Sequence, residues 1–105
     1  MLKILAIDDN PRQLFVLEKL IKISFSKIET ITATTGKKGL ELAQTEKPNV
    51  ILLDIILPGE DGFSICTTLK QNTETNHIPV IFLSSTDYSE ENRLKAIEAG
   101  ADAFL

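Results

Sequence analysis

Leu2-Lys3-Ile4-Leu5-Ala6-Ile7-Asp8-Asp9-Asn10-Pro11 decides the fold, because an apolar run of strand length stops on two acids and enters a helix start at once. Asn10 suits an N-cap, Pro11 the first helical position and Gln13 the third. Leu14, Leu17 and Ile21, joined by Val16, Leu20, Ile23 and Phe15, repeat at helical spacing and predict a helix with a broad apolar face that ends near Ser24. The same alternation returns along the rest of the chain. Residues 28–33 are rich in β-branched side chains and read as an outer, less buried strand, and Leu40, Leu42 and Ala43 mark a shorter helix over 37–46 that Lys47-Pro48-Asn49 ends. Residues 50–53 form a second fully apolar strand closing on Asp54. After Ile55 to Leu57, the stretch Pro58-Gly59-Glu60-Asp61-Gly62 reads as a turn before a helix bearing Phe63, Ile65, Cys66 and Leu69. Residues 71–76 read as a polar loop, and Pro79 then opens the apolar strand 80–83, which closes on Ser84-Ser85-Thr86-Asp87. Ser89 or Asp87 can cap a helix carrying Leu94, Ala96 and Ile97, Gly100 suits its C′ position, and Ala103-Phe104-Leu105 begins one more strand.

Strict strand-helix alternation implies parallel strands joined by right-handed crossovers, with helices on both faces of the sheet. The expected architecture is therefore α/β, a doubly wound parallel five-stranded sheet in the flavodoxin-like order 2-1-3-4-5. Strands that are apolar throughout should be buried on both faces. The 105 residues read as one domain, 1–105, with a formal charge of −4, 43% hydrophobic and 25% charged residues. A single cysteine excludes an internal disulfide framework and points to a reducing cytoplasm. No apolar run approaches the roughly 20 residues of a membrane span, and the acidic balance argues against nucleic-acid binding by these residues.

In sheets of this kind ligands bind beyond the carboxyl ends of the strands, where strand order reverses. Asp8 and Asp9 end the first strand, Asp54 the third and Ser84 the fourth, so three acids and a hydroxyl should converge on one mouth. Adjacent carboxylates repel unless a cation joins them, and Mg²⁺ favours a few carboxylates, waters and a phosphate. The expected partner is a phosphoryl group that one carboxylate attacks, giving an aspartyl phosphate. Taken singly, Asp9 or Asp61 reads as a helix cap and Ser84 as a loop hydroxyl; the constellation is what argues for chemistry. His77 reads as a solvated loop residue and Cys66 as a core thiol.

Ile4-Leu5-Ala6-Ile7-Asp8-Asp9-Asn10, Leu52-Leu53-Asp54-Ile55-Ile56-Leu57-Pro58-Gly59-Glu60-Asp61-Gly62-Phe63, Pro79-Val80-Ile81-Phe82-Leu83-Ser84-Ser85 and Ala99-Gly100-Ala101-Asp102-Ala103-Phe104-Leu105 together resemble the response-regulator receiver domain of two-component signalling, including single-domain chemotaxis regulators. The resemblance implies that Asp54 is the phosphoacceptor, with a sensor histidine kinase or histidine phosphotransfer protein as partner. It also implies Mg²⁺ as cofactor, bound by Asp54, by Asp9 directly, by Asp8 largely through water, and by the backbone carbonyl of Ile56. Ser84 is implied as the hydroxyl on the phosphoryl oxygen, Phe104 as the aromatic switch, and Pro58 and Gly62 as turn residues. The family pattern continues past Leu105 with a Lys-Pro about two residues on and a fifth helix. The expectation is thus a truncated receiver lacking the final helix and the end of the last strand, in which phosphorylation of Asp54 is weak or absent. Apolar strand surface left uncovered would favour a homodimer or a domain-swapped assembly. A phosphorylation-independent interaction domain is the alternative, and a Mg²⁺-dependent phosphohydrolase carries little weight because no general acid or base stands near Asp54. The expectation is of a signalling module rather than an enzyme.

Overall fold

The computed structural model describes residues 1–57, 59–83 and 89–105. Five parallel strands form the sheet: β1 (Leu2–Ile7), β2 (Ile28–Ala33), β3 (Val50–Asp54), β6 (Val80–Leu83) and β7 (Ala103–Phe104). Their order, β2-β1-β3-β6-β7, is the expected doubly wound one. Two further strands, β4 (Ile56–Leu57) and β5 (Glu60–Asp61), pair antiparallel in a small hairpin outside the sheet. The stretch 58–62, expected from its composition to be a turn, thus contributes a strand, Glu60–Asp61, to this hairpin. Ile56 pairs with Asp61 and Leu57 with Glu60, and Leu57 is buried.

The helices start where local chemistry starts them. The Asn10 side chain accepts from the N–H groups of Arg12 and Gln13 and caps α1 (Pro11–Ser24), leaving Asp9 out of the cap. Thr35 accepts from the Lys38 N–H and caps α2 (Gly36–Glu46), one residue earlier than the sequence suggested, and Lys47 ends it in a left-handed conformation. Asp61 caps α3 (Gly62–Gln71) through the Phe63 N–H, and Ser89 caps α4 (Glu90–Glu98) through the Asn92 N–H. Gly100, at φ 91°, closes α4: its N–H donates to the Ile97 carbonyl and that of Ala101 to the Ala96 carbonyl, which satisfies two otherwise orphaned acceptors.

The two faces of the sheet are covered unequally. Leu5, Ile7, Ile51, Leu53, Val80 and Phe82 form a closed core with Ala43 of α2, Ile65, Cys66 and Leu69 of α3, and Ala96 of α4. Phe82 stacks tilted against Phe63 at 5.2 Å and faces Phe104 at 6.3 Å. Cys66 is fully buried, its Sγ donating to the Ala99 carbonyl, and burial pushes the thiol up to about 11. On the opposite face Ile4, Val50, Leu52, Ile81 and Leu83 are only half-buried. There α1 buries Leu14 and Ile21, whereas Phe15, Val16, Leu20 and Ile23 stand exposed. The broad apolar face read from the sequence is thus a narrow buried stripe with an uncovered flank, because helical spacing counts apolar residues without saying what packs against them. The strands expected to be buried on both sides are sealed on one.

Candidate functional site

Strand register builds the site. In the β1–β3 pair Ile7 lies beside Leu53, so the next residue of each strand, Asp8 and Asp54, leaves the sheet side by side at its carboxyl end. Side chains alternate along a strand, so both acids point to the half-covered α1 face while Ile7 and Leu53 point into the closed core. The Asp8 N–H donates to the Ala33 carbonyl of β2 at 3.0 Å, which fixes the start of the segment that carries Asp9. Ligand oxygens of Asp8, Asp9 and Asp54 all lie within 4.8 Å of one another. Among the described residues no ion pair neutralises them.

Burial and crowding show in the acidity of Asp8 and Asp54. Burial raises the Asp8 carboxyl above its usual range, against the Asn10 N–H that donates to its Oδ1 at 2.9 Å, and the charges of Asp54 and Asp9 raise it further. Burial likewise raises Asp54; the Ile56 N–H, 3.4 Å from its Oδ1, pulls the other way, and the Asp9 charge adds to the rise. A hard divalent cation would relieve these repulsions, and three convergent carboxylate oxygens at a partly solvated mouth are a donor set that suits Mg²⁺. The mouth opens into a groove of about 570 Å³ that Asp8 and Asp54 share with Val16, Leu17, Leu20 and Leu105.

The sequence profile of the response regulator receiver domain matches residues 4–105. The chain belongs to the response-regulator receiver family. This receiver domain is 33% identical over 105 residues to the protein PilH of Pseudomonas aeruginosa, covering all of this chain and 84% of PilH. It is 37% identical over 103 residues to the response regulator PleD of Caulobacter vibrioides, covering 98% of this chain but 22% of PleD, so it spans about a fifth of that relative's length. Among solved structures, the Mn²⁺-bound form of the response regulator Rcp1 superposes with a TM-score of 0.87 at 28% identity, covering all of this chain and 80% of that one. Receiver domains work in two-component systems, where they interact with histidine kinases and generally bind Mg²⁺.

The receiver domain brings together three of the residues singled out in its sequence, Asp8, Asp9 and Asp54. Ile56 lies next to them on the β4–β5 hairpin. Ser84 and Pro58 lie outside the described residues; Leu83, registered against Asp54, is the last described residue before that serine. Phe104 is half-buried with its ring toward Phe82, and Gly62 sits at the base of the hairpin. His77 is exposed and remote from the mouth, and no helix among the described residues is long and apolar enough to cross a membrane. The residue that sequence reading missed is Glu60, whose carboxylate reaches the start of α2. Only its place just after the turn glycine Gly59 could have hinted at it.

Proposed function

We propose that this domain is the phosphoacceptor module of a two-component system. A carboxylate oxygen of Asp54 attacks the phosphorus of a phosphohistidine on a sensor kinase or histidine phosphotransfer protein. An O–P bond forms, the P–N bond breaks, and its electron pair returns to the imidazole nitrogen. The observation that carries this reading is the meeting of Asp8, Asp9 and Asp54 oxygens within 4.8 Å with no neutralising side chain among the described residues. Asp8, Asp9, Asp54 and the carbonyl of Ile56 are the groups that would hold Mg²⁺, which when bound offsets negative charge on the acids and on the phosphoryl oxygens. The position of Asp54 at the end of β3, with the Ile56 N–H at its Oδ1, supports this role for its carboxylate.

Ser84 is the proposed hydroxyl partner of the phosphoryl oxygen. A charge of roughly −2 arriving at Asp54 would draw it in, and Phe104, packed beside Phe82, would carry the change to the α4 surface. The domain is then a switch that undergoes at most self-phosphorylation and self-dephosphorylation, acting in the cytoplasm. The uncovered flank of Val16, Leu20 and Leu105 supports self-association through that face, as a homodimer or a swapped assembly. Intact mass after incubation with Mg²⁺ and acetyl phosphate, beside an Asp54→Asn control, tests the reading. A phosphate-sized gain confined to the unsubstituted chain is expected. No gain in either chain would favour an interaction domain that works without phosphorylation.

A further inference from the structure

The hairpin after Asp54 is restrained at three points. The Gly62 N–H donates to the Ile55 carbonyl at 2.9 Å, and a Cβ at Gly62 would collide with the backbone oxygens of Asp54 and Ile55, so the base closes this tightly only around glycine. Pairing of Ile56 with Asp61 and Leu57 with Glu60 joins its two strands. The third restraint leaves the hairpin altogether. Oε2 of Glu60 accepts from the Gly36 N–H, 24 residues away, at 2.9 Å. Gly36 opens α2, and its N–H is one of the donors that a helix start leaves without an intrahelical partner; a carboxylate is also favoured there by the helix dipole. The approach is so close that a Cβ at Gly36 would strike that carboxylate and the Cδ1 of Ile65.

The position of this clamp matters because of what lies on each side of it. Glu60 shares its hairpin with Ile56, and the hairpin grows from Asp54. Gly36 follows β2, whose last residue, Ala33, accepts from the Asp8 N–H at 3.0 Å. Glu60 therefore joins the Asp54–Ile56 side of the mouth to the Asp8 side. We infer that Glu60 is a positioning residue for the divalent-cation site: by hooking the hairpin to the start of α2 it sets the distance between the Ile56 carbonyl and the carboxylates of Asp8 and Asp9. The inference rests on the metal site proposed above, and partners of this outer kind are where metal sites gain much of their affinity.

The test is the dissociation constant of Mg²⁺ by calorimetry, repeated with Mn²⁺ by electron paramagnetic resonance, on the 105-residue chain and five variants. Glu60→Ala should weaken binding on the order of tenfold. Glu60→Gln keeps an acceptor oxygen and should restore most of that loss. Gly36→Ala displaces the same carboxylate from the other side, so it should weaken binding too, and combining it with Glu60→Ala should add little. A purely structural clamp would lower the urea midpoint without metal and leave the affinity of Glu60→Ala unchanged; that result overturns the inference and spares the metal site. Should the unsubstituted chain bind no better than Asp9→Asn, the metal site falls and the inference with it.

Discussion

At the amino-terminal rim of the sheet Lys70 donates to Ile78 O at 2.8 Å, to Asn76 O at 3.4 Å and to Asp102 Oδ2 at 3.0 Å, while the same Asp102 oxygen accepts from the Val80 N–H. At the carboxyl-terminal rim Asp8, Asp9 and Asp54 face one another. The acids respond in opposite directions: the Val80 N–H and the Lys70 ammonium hold Asp102 below its usual range, whereas burial and like charges lift Asp8 and Asp54 above theirs. One rim uses its charges to lock β6 and β7 against α3. The other keeps a repulsion that folding alone does not require, which supports the proposed site for a cation and a phosphoryl group.

The comparison breaks first, if it is wrong, at Lys70. Its side chain is 19% exposed and serves three acceptors, and a Cβ at Gly100 would press on its methylenes. Lys70→Met keeps the stem and removes the ammonium, so it should cost about 2 kcal/mol, the range of hydrogen bonds to charged groups. Urea unfolding should show a lower midpoint at an unchanged slope. The opposite sign is expected at the other rim. Asp54→Asn removes one charge from a crowded triad while keeping a similar shape, and without divalent cations it should stabilise the chain by about 1 kcal/mol. A loss of stability in Asp54→Asn would mean that the triad is already relieved, and the contrast between the rims would disappear.

What the sequence made legible follows the range of the forces involved. Caps at Asn10 and Gly100 depend on neighbours within a few residues and could be read in place, and Ser89 could be read as one of two candidates with Asp87. The convergence of Asp8, Asp9 and Asp54 could also be read, because parallel strand order turns positions at strand ends into neighbours. The exposed flank of α1 was hidden, since Val16 and Leu20 carry the same pattern whether or not anything packs on them. The hairpin over 56–61 was hidden too, because glycine and acidic residues advertise a turn but not the strand pairing around it. Glu60 and Gly36 meet across 24 residues through one hydrogen bond, and neither carries a local pattern that names the other.

The smallest expected effect separates the two rims by pH. Asp8 and Asp54 have folded-state values raised above 3.8, so between 3.8 and those values the native chain holds more protons than the unfolded one. Their contribution to stability therefore falls as pH rises through that window and grows on acidification from neutrality. Asp102 is lowered below 3.8, so its contribution is present above 3.8 and is lost as pH falls through its folded value. Subtracting the stability curve of Asp54→Asn from that of the unsubstituted chain should leave a slope just above pH 3.8, and the same subtraction with Asp102→Asn a slope of opposite sign below it. Saturating Mg²⁺ should erase the first slope, because a bound cation holds the acids ionised, and leave the second unchanged, because the Val80 N–H and the Lys70 ammonium already hold Asp102 ionised. A first slope that persists in Mg²⁺ would place the cation away from Asp54.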